Sequence, residues 1–193
     1  FERLSIKKNW VLINLWISLY NRKDRFLQRL AEHKKGLERS KNAMRYEGTV
    51  YRPPSEAGSL IIQLTIGCAR NTCTFCNMYK DKKFRIRPLE EVVEDLEMAR
   101  SYYNRIQVRR IFLADGDALI VKTEELLYII EKCKEIFPEV ERISVYGAPK
   151  DILHKTPAEL QRLKEAGLDM VYMGLESGAD EVLQAVKKGV TAD

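Results

Sequence analysis

Residues 59–76 read SLIIQLTIGCARNTCTFC, and this stretch joins the two features that decide the fold. Its first eight residues form an apolar run with β-branched side chains, which predicts a short buried strand. Directly after the run come Cys68, Cys73 and Cys76, at C-x4-C-x2-C spacing. Because closely spaced thiols let one loop surround a metal centre, the sequence predicts a metal-binding or iron–sulfur-binding loop after a buried strand.

A disulfide framework is the weaker interpretation of these cysteines. The chain of 193 residues holds four cysteines, and the fourth, Cys133, lies far from the loop in sequence. Three clustered thiols cannot pair evenly, and no clear secretory signal assigns the chain to an oxidising compartment. Three unrelated cysteines in a loop are the non-functional alternative.

Basic charge is concentrated at the start of the chain, whereas the rest is nearly neutral. Residues 1–44 hold 11 Lys and Arg against 4 Asp and Glu, and residues 45–193 hold 22 against 24. We therefore expect a basic N-terminal appendage over residues 1–44, outside the native domain, and a domain over residues 45–193 in which nucleic-acid binding is not indicated. The apolar run at residues 10–20 is shorter than the about 20 residues of a membrane-spanning helix, so no membrane partner is expected. Phe1 stands where a methionine would begin a complete chain, so we expect a fragment, a processed product or a misassigned start, with Met44 as the candidate start.

Strands and helices alternate four times after residue 58. The predicted strands cover residues 59–66, 109–114, 141–147 and 169–177. Predicted helices follow them, with starts at Pro88, Thr123, a capping box at Thr156–Glu159, and Ala179. Strand–helix units in series imply right-handed crossovers, and the sequence therefore predicts an α/β fold with a parallel sheet.

Polar and glycine-rich segments follow each predicted strand. The cysteine loop follows the first strand, and DGD (115–117), GAPKD (147–151) and GLESGAD (174–180) follow or end the other three. Parallel sheets place their chemistry at the carboxyl ends of the strands. Four separate segments therefore converge on one rim. A purely structural metal site would not need this convergence.

This arrangement resembles the radical S-adenosylmethionine (radical SAM) superfamily, and in particular a group of its members of unassigned function. The resemblance covers about residues 45–193 and extends to YRPPSEA (51–57) and to GLESG (174–178) with KKG (187–189) after it. It implies a parallel (β/α)6 partial barrel, here truncated after about four strand–helix units.

The resemblance also implies two cofactors, a [4Fe-4S] cluster and S-adenosylmethionine. Cys68, Cys73 and Cys76 would each hold one iron and leave the fourth iron open for S-adenosylmethionine. Reductive cleavage would then give methionine and a 5′-deoxyadenosyl radical, which abstracts hydrogen from an unknown substrate. The resemblance further implies a one-electron donor protein, such as a flavodoxin or ferredoxin, and a cytoplasmic, reducing location.

The predicted contacts to S-adenosylmethionine are Phe75, Asp115, Gly116, Asp117 and Glu176. The aromatic residue before the last cysteine would pack near the adenine, the three-residue turn would bind the methionyl amino group, and the glutamate would face the ribose. The chain departs from the family pattern in two places. Its first cysteine gap has four residues where three are usual, and an Asp-Gly-Asp turn stands where the family has a Gly-Gly-Glu-like turn.

A non-catalytic iron–sulfur electron-transfer module or a zinc-binding module is the alternative function. The cysteine spacing matches that of plant-type ferredoxins, which add a fourth cysteine. Here Cys133 shares the apolar face of a predicted helix, so we expect it to pack in the core. His33 and His154 are not near the loop in sequence, so a finger-type zinc ligand set is not evident.

Five basic residues follow the cysteine loop. Such a cluster could contact an anionic substrate or an acidic electron-donor protein, and a solvated face is the simpler interpretation. The cluster consists of Lys80, Lys82, Lys83, Arg85 and Arg87.

Overall fold

The computed structural model describes residues 44–104 and 106–192. Apart from Met44, the predicted N-terminal appendage lies outside these residues, so the domain boundary stays a prediction. Within the described ranges, no helix is long and apolar enough to cross a bilayer.

Four parallel strands form the central sheet, and their spatial order equals their order in the chain. In chain order the strands are β1 (Leu60–Gln63), β2 (Thr65–Ile66), β3 (Arg85–Ile86), β4 (Arg110–Ala114), β5 (Arg142–Tyr146) and β6 (Leu168–Tyr172). The central sheet contains β1, β4, β5 and β6, while β2 and β3 form a small antiparallel pair. The parallel order confirms the predicted α/β partial barrel.

Helices connect the strands of the central sheet. They are α1 (Leu89–Tyr102), α2 (Thr123–Ile136), α3 (Pro149–Leu153), α4 (Pro157–Ala166) and α5 (Asp180–Ala185). Short 3-10 turns occur at Pro54–Glu56 and Ala118–Ile120. Each crossover returns the chain to the same end of the sheet, so the loops after the strands meet at one rim.

The outer face of the sheet packs against the helices and forms the main core. Successive side chains of a strand point to opposite faces, so alternate residues of each strand enter this core. Cys133 of α2 is fully buried there, which confirms its predicted packing role. Each fully buried Leu or Ile contributes roughly 1.5–3 kcal/mol relative to an exposed one.

The inner face of the sheet is covered by the segment before β1. The Glu56 carboxylate is fully buried and accepts hydrogen bonds from Ser144 Oγ at 3.0 Å, Tyr172 Oη at 2.8 Å and Arg142 Nη2 at 2.9 Å. Burial favours the neutral acid, but the hydrogen bonds from Ser59, Tyr172 and Ser144, with the charge of Arg142, outweigh it and lower the pKa of Glu56. The segment is therefore anchored to β5 and β6 through one ionised carboxylate.

Four local predictions differ from the structure. The predicted strand at residues 59–66 divides into β1 and β2, which belong to different sheets. The fourth strand ends at Tyr172 rather than at residue 177, and Glu176, within the predicted span, has a φ of 67°, which an extended strand cannot accommodate. Lys122, not Thr123, occupies the N-cap position of α2, and the Thr123 hydroxyl instead donates to Glu159 Oε1 at 2.8 Å. Helix α3 was not predicted, since five residues carry too little periodicity to reveal a helix.

The predicted capping box of α4 is confirmed and provides a test of local stability. Thr156 Oγ1 accepts a hydrogen bond from the Glu159 backbone N–H, and the Glu159 carboxylate accepts one from the Thr156 backbone N–H. We expect Thr156→Ala to lower the free energy of unfolding by about 1 kcal/mol, measured by urea denaturation. Ser101→Ala is the control, because its exposed hydroxyl bonds within α1 and caps no helix end. An equal loss in both variants would contradict the capping role.

Candidate functional site

The carboxyl ends of the four central strands surround one pocket of about 460 Å³. Segments after each of these strands contribute to its wall. Seven of the predicted site residues line it: Cys68, Cys73, Phe75, Cys76, Gly116, Asp117 and Glu176. The structure thus brings together residues that the sequence places on three separate loops, while their individual roles stay predictions.

Side-chain hydrogen bonds to backbone carbonyl oxygens hold the cysteine loop in place. Lys80 Nζ donates to the carbonyl oxygens of Asn71 at 2.8 Å and Cys73 at 3.1 Å. The Asn71 amide donates to the Tyr79 carbonyl oxygen at 2.7 Å. Burial raises the pKa of the Cys68 thiol, although backbone N–H groups of the loop oppose this. The thiols of Cys68, Cys73 and Cys76 are free and half-buried, which leaves them available as ligands.

Asp115 is the one predicted site residue that does not line the pocket. Its carboxylate is fully buried and accepts hydrogen bonds from the Gly67 backbone N–H at 2.9 Å, Gln63 Nε2 at 3.1 Å and Lys82 Nζ at 2.9 Å. Lys82 also donates to the Thr49 carbonyl oxygen at 2.7 Å. The structure therefore gives this carboxylate an anchoring role between β4 and the base of the cysteine loop, and its predicted ligand contact stays a prediction.

Two of the five basic residues after the loop are buried, so the interpretation of the cluster as a solvated face is wrong for them. Lys82 is paired with Asp115 inside the protein. Arg87 Nη1 lies 2.5 Å from Asp95 Oδ2, and both side chains are almost fully buried. Their acidic partners are Asp115, which directly follows β4, and Asp95 in α1. Proximity in sequence could not reveal these pairs. Lys80, Lys83 and Arg85 are exposed.

Gly116 is required by close packing. A Cβ atom at this position would lie 2.5 Å from the Tyr79 ring and 3.2 Å from the Cys68 Cβ. The Gly116 N–H also donates to the Gly67 carbonyl oxygen at 3.1 Å. The Asp-Gly-Asp turn therefore packs directly against the start of the cysteine loop.

Asp117 forms a carboxylate pair with Asp151, a residue that the sequence did not single out as a ligand contact. The Ala148 backbone N–H lies 3.2 Å from Asp117 Oδ1 and 2.8 Å from Asp151 Oδ2. Burial, followed by the hydrogen bond and charge of Asp151, raises the pKa of Asp117 to about 8. A hydrogen-bond donor or a cation that enters the pocket would therefore stabilise the ionised form of Asp117.

Lys188 is a second residue that the sequence analysis did not assign to the site. Its ammonium lies 3.0 Å from Glu176 Oε1 at the pocket wall, and its charge also acts on Asp117. Arg70 donates to the Lys187 carbonyl oxygen at 3.2 Å, so the segment after α5 contacts the cysteine loop. The sequence shows the KKG motif at residues 187–189. Its place beside the pocket depends on the hydrogen bond between Arg70 and Lys187.

The residues present fit an iron–sulfur cluster. Within residues 44–104 and 106–192, no group of three or more His, Cys, Asp or Glu side chains is arranged to hold a single metal ion. In a cluster each thiolate binds its own iron, so the sulfurs need not meet at one point. Three free thiols line one pocket wall, and the hydroxyl of Tyr79 beside them is buried without a partner among the described residues.

Comparisons with known proteins identify the family to which the chain is similar. The model of the Radical SAM superfamily matches residues 62–193. A protein of Methanocaldococcus jannaschii that carries the provisional name methylthiotransferase is 27% identical over 143 residues, covering 70% of this chain and 30% of the relative. The 4′-phospho-dehydrooxetanocin synthase of Priestia megaterium is 27% identical over 155 residues, covering 70% of this chain and 20% of that protein.

A solved structure shares the fold. It is that of the cobalamin-dependent S-adenosylmethionine radical enzyme OxsB, with aqua-cobalamin and S-adenosylmethionine bound. The TM-score is 0.52 at 20% identity, over 69% of this chain and 20% of the other. The chain therefore spans less than a third of the length of these relatives.

The buried ion pair beneath the loop gives a second test of stability. We expect Lys82→Met to lower the free energy of unfolding by about 3–5 kcal/mol, because it leaves the buried Asp115 carboxylate without its cation. Lys83→Met, at the exposed neighbouring position, is the control and should change stability by less than about 0.5 kcal/mol. Urea denaturation measures both. Adding Asp115→Asn to Lys82→Met should recover part of the loss, and a strictly additive further loss would argue against the pair.

Proposed function

Because the chain belongs to the radical SAM superfamily, we propose that it forms the part of an enzyme that binds a [4Fe-4S] cluster and S-adenosylmethionine. The observation that supports this most directly is the pocket shared by three free thiols, Gly116, Asp117 and Glu176. When bound, the two cofactors supply the reductive cleavage of S-adenosylmethionine to methionine and a 5′-deoxyadenosyl radical that takes hydrogen from a substrate.

The chain supplies ligands, orientation and shielding from water. Cys68, Cys73 and Cys76 would hold three irons, and no fourth cysteine reaches this pocket from the described residues. Phe75 is 52% exposed at the pocket wall, where its ring is available to pack on a flat base such as adenine. Cys133 is excluded as a ligand by its burial in the core.

Polar groups would orient the amino-acid part and the sugar of S-adenosylmethionine. The amino group has N–H donors that match the paired carboxylates of Asp117 and Asp151. Glu176, held by Lys188, presents an acceptor that suits ribose hydroxyls. Lys188 adds a positive charge that suits the methionyl carboxylate.

The two relatives are named for different reactions. One relative is named for methylthio transfer and the other for an oxetanocin synthesis step, and the chain covers only 30% and 20% of them. We further propose a one-electron donor protein as partner, which could dock where Lys80 and Lys83 expose positive charge beside the loop, whereas Arg85 is paired with Glu47. A reducing, cytoplasmic location would suit an oxygen-sensitive cluster.

Cysteine substitution tests the cluster site. Anaerobic reconstitution should load wild type and Cys133→Ala with a [4Fe-4S] cluster, whereas Cys68→Ala, Cys73→Ala and Cys76→Ala should lose most of the bound iron. Iron analysis and electron paramagnetic resonance of the dithionite-reduced protein measure this. The signal should change shape when S-adenosylmethionine is added, since the open iron would be its binding point. Bound zinc without an iron chromophore, or a signal that ignores S-adenosylmethionine, would instead favour the non-catalytic alternative.

The raised pKa of Asp117 predicts how binding depends on pH. A carboxylate accepts N–H bonds best when ionised, and a pKa of about 8 leaves Asp117 mostly protonated at pH 6.5. Affinity for S-adenosylmethionine should therefore rise as the pH increases from 6.5 to 8.5, measured by anaerobic calorimetry. Asp117→Asn removes the titrating carboxyl group, so the affinity should increase less between pH 6.5 and 8.5. Asp151 and Lys188 still face the ligand in this variant. An identical pH profile in wild type and Asp117→Asn would contradict the assignment.

A further inference from the structure

Tyr79 has a buried hydroxyl that none of the proposed cofactor contacts uses. The residue lies three positions after Cys76 and is only 4% exposed. Among the residues that the structure describes, no group forms a hydrogen bond with its hydroxyl. An unpaired buried hydroxyl costs about 1–3 kcal/mol, and buried polar groups nearly always have a partner. This hydroxyl therefore points to a partner that the described chain does not supply.

Hydrogen bonds hold the backbone of Tyr79, and packing contacts hold its ring. Its carbonyl oxygen accepts hydrogen bonds from Asn71 Nδ2 at 2.7 Å and from the Lys82 N–H at 3.1 Å. The Tyr51 ring packs edge-on with a centroid distance of 5.5 Å, and Gly116 lies against the ring itself. Because the ring packs against these neighbours, a partner for the hydroxyl has to enter the pocket that Tyr79 lines.

Tyr79 lines the same pocket as two of the predicted cluster ligands, Cys68 and Cys76. Burial first, and then the charges of Asp115, Tyr146, Cys68 and Cys76, raise the pKa of Tyr79. The Asp115 carboxylate already accepts hydrogen bonds from Gln63, Gly67 and Lys82. A tyrosine hydroxyl is protonated at neutral pH, so it acts here as a donor, and the sulfurs of Cys68 and Cys76 are acceptors that line the same pocket as Tyr79.

We propose that the Tyr79 hydroxyl donates a hydrogen bond to a sulfur of the cluster held by Cys68, Cys73 and Cys76, an inference that rests on the proposed function. Hydrogen bonds to cluster sulfurs are among the factors that set the reduction potential of an iron–sulfur cluster. A donor stabilises the more negative, reduced state more than the oxidised state. The Tyr79 hydroxyl thus raises the reduction potential of the cluster and makes it easier to reduce.

Tyr79→Phe tests this role, because it removes the hydroxyl and keeps the ring that packs on Gly116. Reconstituted wild type and variant are titrated anaerobically without S-adenosylmethionine, with the reduced cluster followed by electron paramagnetic resonance. At a fixed potential, the ratio of reduced to oxidised cluster should fall three- to tenfold in Tyr79→Phe, where tenfold corresponds to 59 mV for one electron. Tyr51→Phe is the matched control, since it removes a hydroxyl from the ring that contacts Tyr79, and it should titrate like wild type.

A second readout separates a hydrogen bond from a packing effect. In the reduced wild type, exchange into deuterium oxide should remove a hyperfine coupling from a proton near the cluster, and this coupling should be absent from Tyr79→Phe. Equal potentials and equal couplings, with clusters intact in both proteins, would overturn the inference and leave the proposed function standing. A difference that appears only when S-adenosylmethionine is present would also overturn it, because the hydroxyl would then be bonded to that ligand. A wild-type chain that takes up no iron–sulfur cluster would overturn both.

Discussion

The buried carboxylate of Asp115 accepts hydrogen bonds from Gln63 of β1, from the Gly67 N–H and from Lys82, and the rest of the site depends on this convergence. These three donors lie before, at the start of and after the cysteine loop. One charge at the end of β4 therefore fixes both ends of the loop relative to the sheet. Because the pair is almost completely buried, it is costly to break, so it holds the loop firmly against the sheet.

A second buried carboxylate performs a similar task on the inner face of the sheet. Glu56 collects hydrogen bonds from Arg142, Ser144 and Tyr172 and thereby holds the segment before β1 against β5 and β6. The pocket lies beyond this segment, at the carboxyl ends of the strands. Since the pocket opens there, the parallel topology and the two carboxylates together determine where a ligand can bind.

Under the proposed function, the charges around the pocket would suit a zwitterionic ligand. Asp117 and Asp151 lie together on one side, and burial, followed by the proximity of Asp151, keeps the pKa of Asp117 high. Lys188 offers a positive charge paired with Glu176. A ligand with an amino group and a carboxylate could satisfy both sides at once, and the cost of holding two carboxylates close together would then be offset on binding.

Sequence spacing alone determined the cysteine loop, the alternation of strands and helices, and the rim at which the loops meet, because these are local or periodic properties of the chain. It could also place Cys133 in the core by its position on an apolar helix face. Only the tertiary structure decided that Asp115 is an anchor rather than part of the pocket wall, since its cation, Lys82, looks like any exposed lysine in the sequence. The same holds for the meeting of Asp117 with Asp151 and for the unpaired hydroxyl of Tyr79. Such pairs join loops that are far apart in sequence, and no spacing rule records which side chains the sheet brings together.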